Sequence, residues 1–274
     1  MMKRKVKTLI LRTAGTNCDK ETAFAFDLAG AEADLMHINA LIRDRSALDR
    51  YDILAIPGGF SYGDDIASGK ILANELRFSL RSRLLRFVKE GKPVIGICNG
   101  FQILVKMGFL PDLSGDPGSH IEATLSLNDS GKFEDRWVYL KKVSGARSQV
   151  SEKCIWTRGL PEVIQAPVAH GEGKFMPKDD RVLENLKKNG QIVFRYTDRE
   201  GNIEGYPHNP NGSVDNIAGI CDTTGRIFGL MPHPERHVTF LQHPNWRRSD
   251  SEKKAMGIGL EIFKNGVKFA RNCI

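Results

Sequence analysis

The sequence predicts an α/β fold: a central, mostly parallel sheet flanked by helices, with an antiparallel section added to it. Three observations carry this reading. Short apolar runs alternate with helical patterns from Val6 to Leu110, as expected of βαβ units with helices on both sheet faces. Within that stretch an apolar run, residues 94–97, leads into Cys98 and directly on into a helical pattern. Beyond Pro111 strand-like runs follow one another with few helices between them, as antiparallel strands do.

Each element has its local reason. Residues 6–11 read as the first strand. Asp19 caps a helix that runs to Ala29 and ends at Gly30. Residues 35–38 and 53–56 are apolar runs of strand length, and residues 71–89 carry the apolar spacing of one long amphipathic helix. After Cys98 the residues Phe101, Ile103, Leu104 and Met107 line a helix face. Residues 121–127, 137–142, 163–169, 191–196 and 227–231 read as the strands of the second section, and residues 200–215, rich in Asn, Pro and Gly, as a loop. Residues 250–271 form a closing helix. With 274 residues, 41% of them hydrophobic, the chain can close a sizeable core, and it reads as one domain over 1–274 with a tail and helix from about residue 237.

The chemistry concentrates at Cys98. Gly96 and Gly100 bracket it in a strand-to-helix turn, the G-x-nucleophile-x-G elbow with a thiol in place of a hydroxyl. Side chains at the two glycines would collide with neighbouring backbone, and the helix N-terminus favours a thiolate. A buried structural cysteine is the bland alternative. A cysteine nucleophile needs a base, and the base an acceptor on its other ring nitrogen. Met231-Pro232-His233-Pro234-Glu235-Arg236 offers both, because His233 and Glu235, two apart on an extended segment, project to one side. His170, in Ala169-His170-Gly171-Glu172-Gly173-Lys174, is a rival base in what reads as a substrate or interface loop or a plain turn. Pro57-Gly58-Gly59-Phe60-Ser61-Tyr62-Gly63-Asp64 follows a strand, so backbone at Gly58, Gly59 and Phe60 can form an oxyanion hole with the Asn99 amide, or merely a tight turn.

Other functions are disfavoured. The net charge of +7 comes from basic residues that are scattered rather than clustered with aromatics, densest toward the C-terminus (Arg236, Arg247, Arg248, Lys253, Lys254, Lys264, Lys268, Arg271), so no nucleic-acid partner is expected. No apolar run spans a membrane, and that at residues 8–11 is too short for a signal peptide. Five cysteines without metal-type spacing (Cys18, Cys98, Cys154, Cys221, Cys273) suit a reducing cytoplasm and suggest neither a disulfide framework nor a metal site. Walker A and G-x-G-x-x-G nucleotide motifs are missing from the sequence.

These residues resemble the class I (triad) glutamine amidotransferases, whose fold is flavodoxin-like. Gly15-Thr16-Asn17-Cys18-Asp19, the 57–64 segment, Cys98-Asn99-Gly100-Phe101-Gln102, residues 169–173, Asn209-Pro210-Asn211-Gly212-Ser213 and residues 231–236 resemble, more narrowly, the glutaminase subunits of phosphoribosylformylglycinamidine synthases. The resemblance implies Cys98 as nucleophile, His233 as general base and acid, Glu235 as its orienter, backbone around Gly59 and Asn99 as oxyanion hole, and Gln102 as a glutamine-positioning residue. It implies hydrolysis of glutamine to glutamate and ammonia for a separate synthetase subunit (PurL type) that uses ATP and Mg, with a small bridging subunit (PurS type), and no cofactor on this chain. An amidotransferase of another pathway, or a cysteine hydrolase or peptidase of the same fold, is the alternative. The stretch Gln242-His243-Pro244-Asn245-Trp246 and the insert near residues 114–119 carry no assigned role.

Overall fold

The computed structural model describes residues 4–143, 153–248 and 256–274. Its strands are β1 (Lys7–Arg12), β2 (Glu32–His37), β3 (Ile53–Ile56), β4 (Val94–Ile97), β5 (Ala123–Ser126), β6 (Glu134–Lys142), β7 (Val163–His170), β8 (Lys174–Pro177), β9 (Ile192–Thr197), β10 (Ile217–Cys221) and β11 (Ile227–Leu230). Its helices are α1 (Asp19–Leu28), α2 (Ile38–Arg43), α3 (Lys70–Ser79), α4 (Arg81–Lys89), α5 (Asn99–Lys106), α6 (Asp180–Lys188) and α7 (Leu260–Cys273). Nine strands form one sheet in the order β2-β1-β3-β4-β11-β10-β9-β6-β7, and β5 pairs with β8 in a separate two-stranded sheet.

The first five strands of that order are parallel. The remaining neighbours pair antiparallel. This is the α/β architecture expected, with one correction. β11 is antiparallel only to β10; on its other side it lies parallel beside β4, Gly96 opposite Gly229 and Ile97 opposite Leu230, and so forms the seam between the two sections. All four of its residues are buried, so a central position suits it.

Other expectations shift locally. The long helix at 71–89 is two, because Leu80 leaves helical geometry (φ −126°, ψ 4°) and is itself fully buried. That break turns the apolar stripe of α4 back toward the core. Cys18, not Asp19, is the N-cap of α1, and the Asp19 carboxylate instead pairs with Arg12 Nε at 3.1 Å. Gly30 does end α1, with φ +84° and its N–H donating to the Asp27 carbonyl. The strand expected at 35–38 starts earlier, at Glu32, and yields at Ile38 to α2, which the His37 ring caps by accepting from Asn39 N–H. β8, β10 and α6 were not expected; α6 has the Asp179 carboxylate accepting from Val182 N–H at 2.9 Å as its cap. Residues 256–259 are a bridge and a turn, so the closing helix begins at Leu260; the Asp250 start, with Lys253 and Lys254, lies outside the described residues.

The tail also finds its place. His243 Nε2 lies 2.9 Å from Gln165 Oε1, and His237 and His243 both meet the Trp137 ring edge-on, so this segment covers the outer β6–β7 strands. α7 packs on α1 through Phe26 and Phe263, whose rings meet edge-on 5.1 Å apart. Its Gly266 faces fully buried Trp156, where an added Cβ would lie 2.1 Å from the indole. Gly266→Ala should therefore destabilise the fold by about 2 kcal/mol, the overpacking outweighing the better helix propensity of alanine; a denaturant midpoint at or above the wild-type value would refute this packing.

Candidate functional site

The nucleophile candidate is held by backbone. Cys98 has φ +51° and ψ −106°, a conformation that a side chain strains against, and its N–H donates to the Leu230 carbonyl of β11 at 2.8 Å. The flanking glycines are sterically required. A Cβ on Gly100 would fall 1.9 Å from the Ile56 carbonyl oxygen, and one on Gly96 would fall 2.6 Å from that of Gly100. Cys98 caps α5, whose first amides have no acceptor within the helix and so turn a positive dipole end toward the sulfur.

Because β11 runs parallel to β4, the segment after it emerges at the same sheet edge as Cys98. His233 N–H donates to the Pro167 carbonyl, fixing the backbone, and its ring packs over Gly58, where a Cβ would lie 2.7 Å from Cε1. His233 Nδ1 and Glu235 Oε1 are 2.6 Å apart in a fully buried pair. That leaves Nε2, which is buried without a hydrogen-bond partner among the described residues, as the nitrogen available to Cys98. Burial presses the imidazole toward neutrality, but the Glu235 carboxylate, aided by Cys98 and Cys18, outweighs it and holds His233 well above the usual histidine range.

His170 behaves in the opposite way. It is buried, and burial together with the charge of His233 pushes it down to about 3, so it stays neutral. Its ring nitrogens lie against Asn128 Oδ1 (3.2 Å) and Asn211 Nδ2 (3.5 Å). Both are thus engaged away from the thiol, and of the two rival bases only His233 has a carboxylate on its ring.

The 57–64 loop docks on the elbow. Asn99 Oδ1 accepts from Ser61 N–H at 3.3 Å, and Asn99 Nδ2 donates to Asp64 Oδ1 and to Gln102 Oε1. Gly59, with φ +144°, sits where a Cβ would strike Asn17 N and Gly15 O at 2.7 Å, and its amide has no hydrogen-bond partner among the described residues. The Phe60 amide, by contrast, donates to the Gly15 carbonyl, and the Phe60 ring is partly exposed near Phe133. Gln102 is buried, with Nε2 donating to the Glu172 carbonyl at 2.5 Å. It ties helix to loop and keeps one donor and one lone pair for anything else.

Sequence reasoning missed two neighbours of the base. Cys18 Sγ lies 4.0 Å from His233 Nδ1, and Arg236 Nη2 donates to it at 3.1 Å. Cys18, His233 and Glu235 bring ligand-type atoms within 4.8 Å of one another. The Arg236 guanidinium against that sulfur makes the spot hostile to a metal cation. Both residues lie inside motifs read from the sequence, but nothing in those motifs reveals that they meet across 218 positions.

Comparisons with known proteins place the chain in a glutamine amidotransferase family. Residues 5–270 match the CobB/CobQ-like glutamine amidotransferase domain. The chain is 49% identical to the phosphoribosylformylglycinamidine synthase subunit PurQ of Dehalococcoides mccartyi, across 97% of this chain and 98% of that one. It is 43% identical to the subunit of the same name from Methanococcus maripaludis, across 98% and 99%. Among solved structures, a chain of PurLQS from Thermotoga maritima superposes with a TM-score of 0.71 at 28% identity, covering 97% of this chain and 99% of that chain. No helix among the described residues is long and apolar enough to cross a membrane.

The two histidines pull stability in opposite directions with pH. His170, lowered to about 3, contributes stability that is present above the unfolded value near 6.5 and lost as pH falls toward 3. His233, raised, contributes stability that is present below 6.5 and lost as pH climbs through its folded value. Denaturant titrations across pH should show His170→Gln removing about 2 kcal/mol of the loss between pH 6.5 and 5, and His233→Gln flattening the alkaline side instead. An unchanged acid limb in His170→Gln would mean that the ring accepts a proton in the folded state.

Proposed function

The chain belongs to the CobB/CobQ-like glutamine amidotransferase domain family, and from that membership we propose that it is the glutaminase subunit of a phosphoribosylformylglycinamidine synthase. It hydrolyses glutamine to glutamate and ammonia, and a separate ATP-dependent synthetase subunit consumes the ammonia in making formylglycinamidine ribonucleotide for purine biosynthesis. The observation that carries this reading is the near full-length likeness to PurQ subunits, in a chain that holds a strained Cys98 beside the buried His233–Glu235 pair.

Cys98, its thiol proton passed to the His233 imidazole, attacks the side-chain carboxamide carbon of glutamine, forming the S–C bond. The oxyanion rests on the amides of Gly59 and Asn99, each such donor contributing about 3 kcal/mol to the transition state. Glu235 holds His233 protonated and oriented, and His233 delivers that proton to the departing nitrogen as the C–N bond breaks. Ammonia leaves and a glutamyl thioester remains. Water, deprotonated by the same His233, then attacks the thioester, releasing glutamate and returning the thiol. Gly58 gives the imidazole room, Phe60 supplies loop backbone, and Gln102 and His170 secure the loops around glutamine rather than reacting.

The partners are a PurL-type synthetase subunit, which binds ATP and Mg, and a small bridging subunit of PurS type; the Thermotoga maritima assembly named PurLQS supports this reading. The five cysteines are free, which fits a cytoplasmic protein. The whole of 1–274 acts as one amidotransferase domain, the tail and α7 included.

The test is glutamate release by the chain alone and in complex with synthetase, ATP and the ribonucleotide substrate. Cys98→Ala should abolish glutamine-dependent synthesis by the complex and leave ammonia-dependent synthesis intact. Loss of both would make the cysteine structural. Glu235→Gln should lower kcat roughly a hundredfold or more, because the imidazole loses the charge that orients it and keeps its proton; an unchanged kcat would remove Glu235 from the mechanism.

A further inference from the structure

The 169–173 turn forms a wall of the site. The Ala169 carbonyl lies 3.7 Å from Cys98 Sγ, the Glu172 carbonyl takes the Gln102 amide, and Glu172 Oε2 accepts from Ser68 N–H at 3.3 Å. What holds this wall comes from elsewhere in the chain. Asn128 Nδ2 donates to the carbonyls of His170 (2.8 Å) and Lys132 (2.9 Å), which turns its Oδ1 to accept from Gly173 N–H at 2.9 Å. The Asn128 amide itself donates to the Gly171 carbonyl at 2.9 Å. One side chain and its backbone thus grip the turn at three points, residues 170, 171 and 173.

The same orientation assigns the His170 proton. Because Asn128 Oδ1 can only accept, His170 Nδ1 carries the hydrogen, and Nε2 is the acceptor. Asn211 Nδ2 meets Nε2 at 3.5 Å and also donates to the Tyr196 hydroxyl, while its Oδ1 accepts from Ser213 N–H and Oγ. Asn211 is fully buried, and His170 lies so close over Gly173 that a Cβ there would come within 2.4 Å of the ring. A buried polar network satisfied this fully fixes one arrangement of its members, and the turn facing the nucleophile is one of them.

We propose that Asn128, directly, and Asn211, through the His170 ring, are positioning residues that hold the 169–173 turn against Cys98 and Gln102 and thereby set the affinity for glutamine. This rests on the glutaminase reading and adds to it the part of the chain that governs substrate binding. The network touches no reacting atom, so its loss should appear in KM and spare the thiol.

The experiment measures glutamine kinetics in the complex with the synthetase, beside alkylation of Cys98 by iodoacetamide, a reagent that needs no amino-acid pocket. Asn211→Leu should raise KM for glutamine about tenfold with kcat within about threefold and the alkylation rate unchanged. Asn211→Ser, which keeps a small hydroxyl beside Nε2, should raise KM less, and it serves alone should the leucine variant fail to fold. A wild-type KM in the folded variants would overturn the proposal. So would kcat and alkylation falling together with KM unmoved, since that marks general disorder of the elbow. Failure of the glutaminase reading looks different: the wild-type complex would itself release no glutamate.

Discussion

Everything at this site hangs on the backbone of Cys98. A residue with a side chain is held at positive φ between a strand and a helix, and the conformation persists because its surroundings leave it no alternative. Its amide is tied to β11, its carbonyl begins α5 by accepting from Gln102 N–H, Gly100 lets the turn close on Ile56 of β3, and Gly96 lets α5 close on β4. The sulfur is thereby placed at the N-terminus of α5 and the C-terminal edge of the parallel strands, where helix amides and strand-end loops converge.

The two halves of the sheet make different contributions. The parallel half supplies the elbow, the Gly58–Gly59 loop and, through β11, the His233 segment. The antiparallel half supplies the wall opposite, at the end of β7, and the Asn128 and Asn211 side chains behind it. Charge is divided in the same way. One buried histidine faces a carboxylate and is held in its charged form, while the other faces two neutral amides and stays neutral. Burial disfavours the charged form in both; the partner decides the outcome.

Much of this was legible in the sequence, for identifiable reasons. The elbow is a local pattern, glycines at fixed offsets within one strand–turn–helix, so Cys98 could be read without a structure. His233 and Glu235 share one extended segment and could be paired with each other, and a nucleophile's need for a base, seconded by the likeness to amidotransferases, linked them to a cysteine 135 positions away. The parallel placement of β11 was not legible, because strand direction depends on which neighbours are free and not on composition. β10 is short and interrupted by Ala218 and Gly219, and α6 shows only a narrow apolar face. Cys18, Arg236, Asn128 and Asn211 act through partners distant in sequence, and polar residues in loops carry no periodicity to betray such contacts.

The pairing of β11 with β4 has one more consequence. Leu230 stands opposite Ile97, and the histidine follows three residues later, so the distance from base to thiol is measured off along a hydrogen-bonded ladder. A slip of one position would shift that ladder by about 3.3 Å and turn every side chain to the other face. With the pair misaligned His233 would no longer stand where Cys98 meets it, so the alignment of two short strands decides whether base and thiol come together.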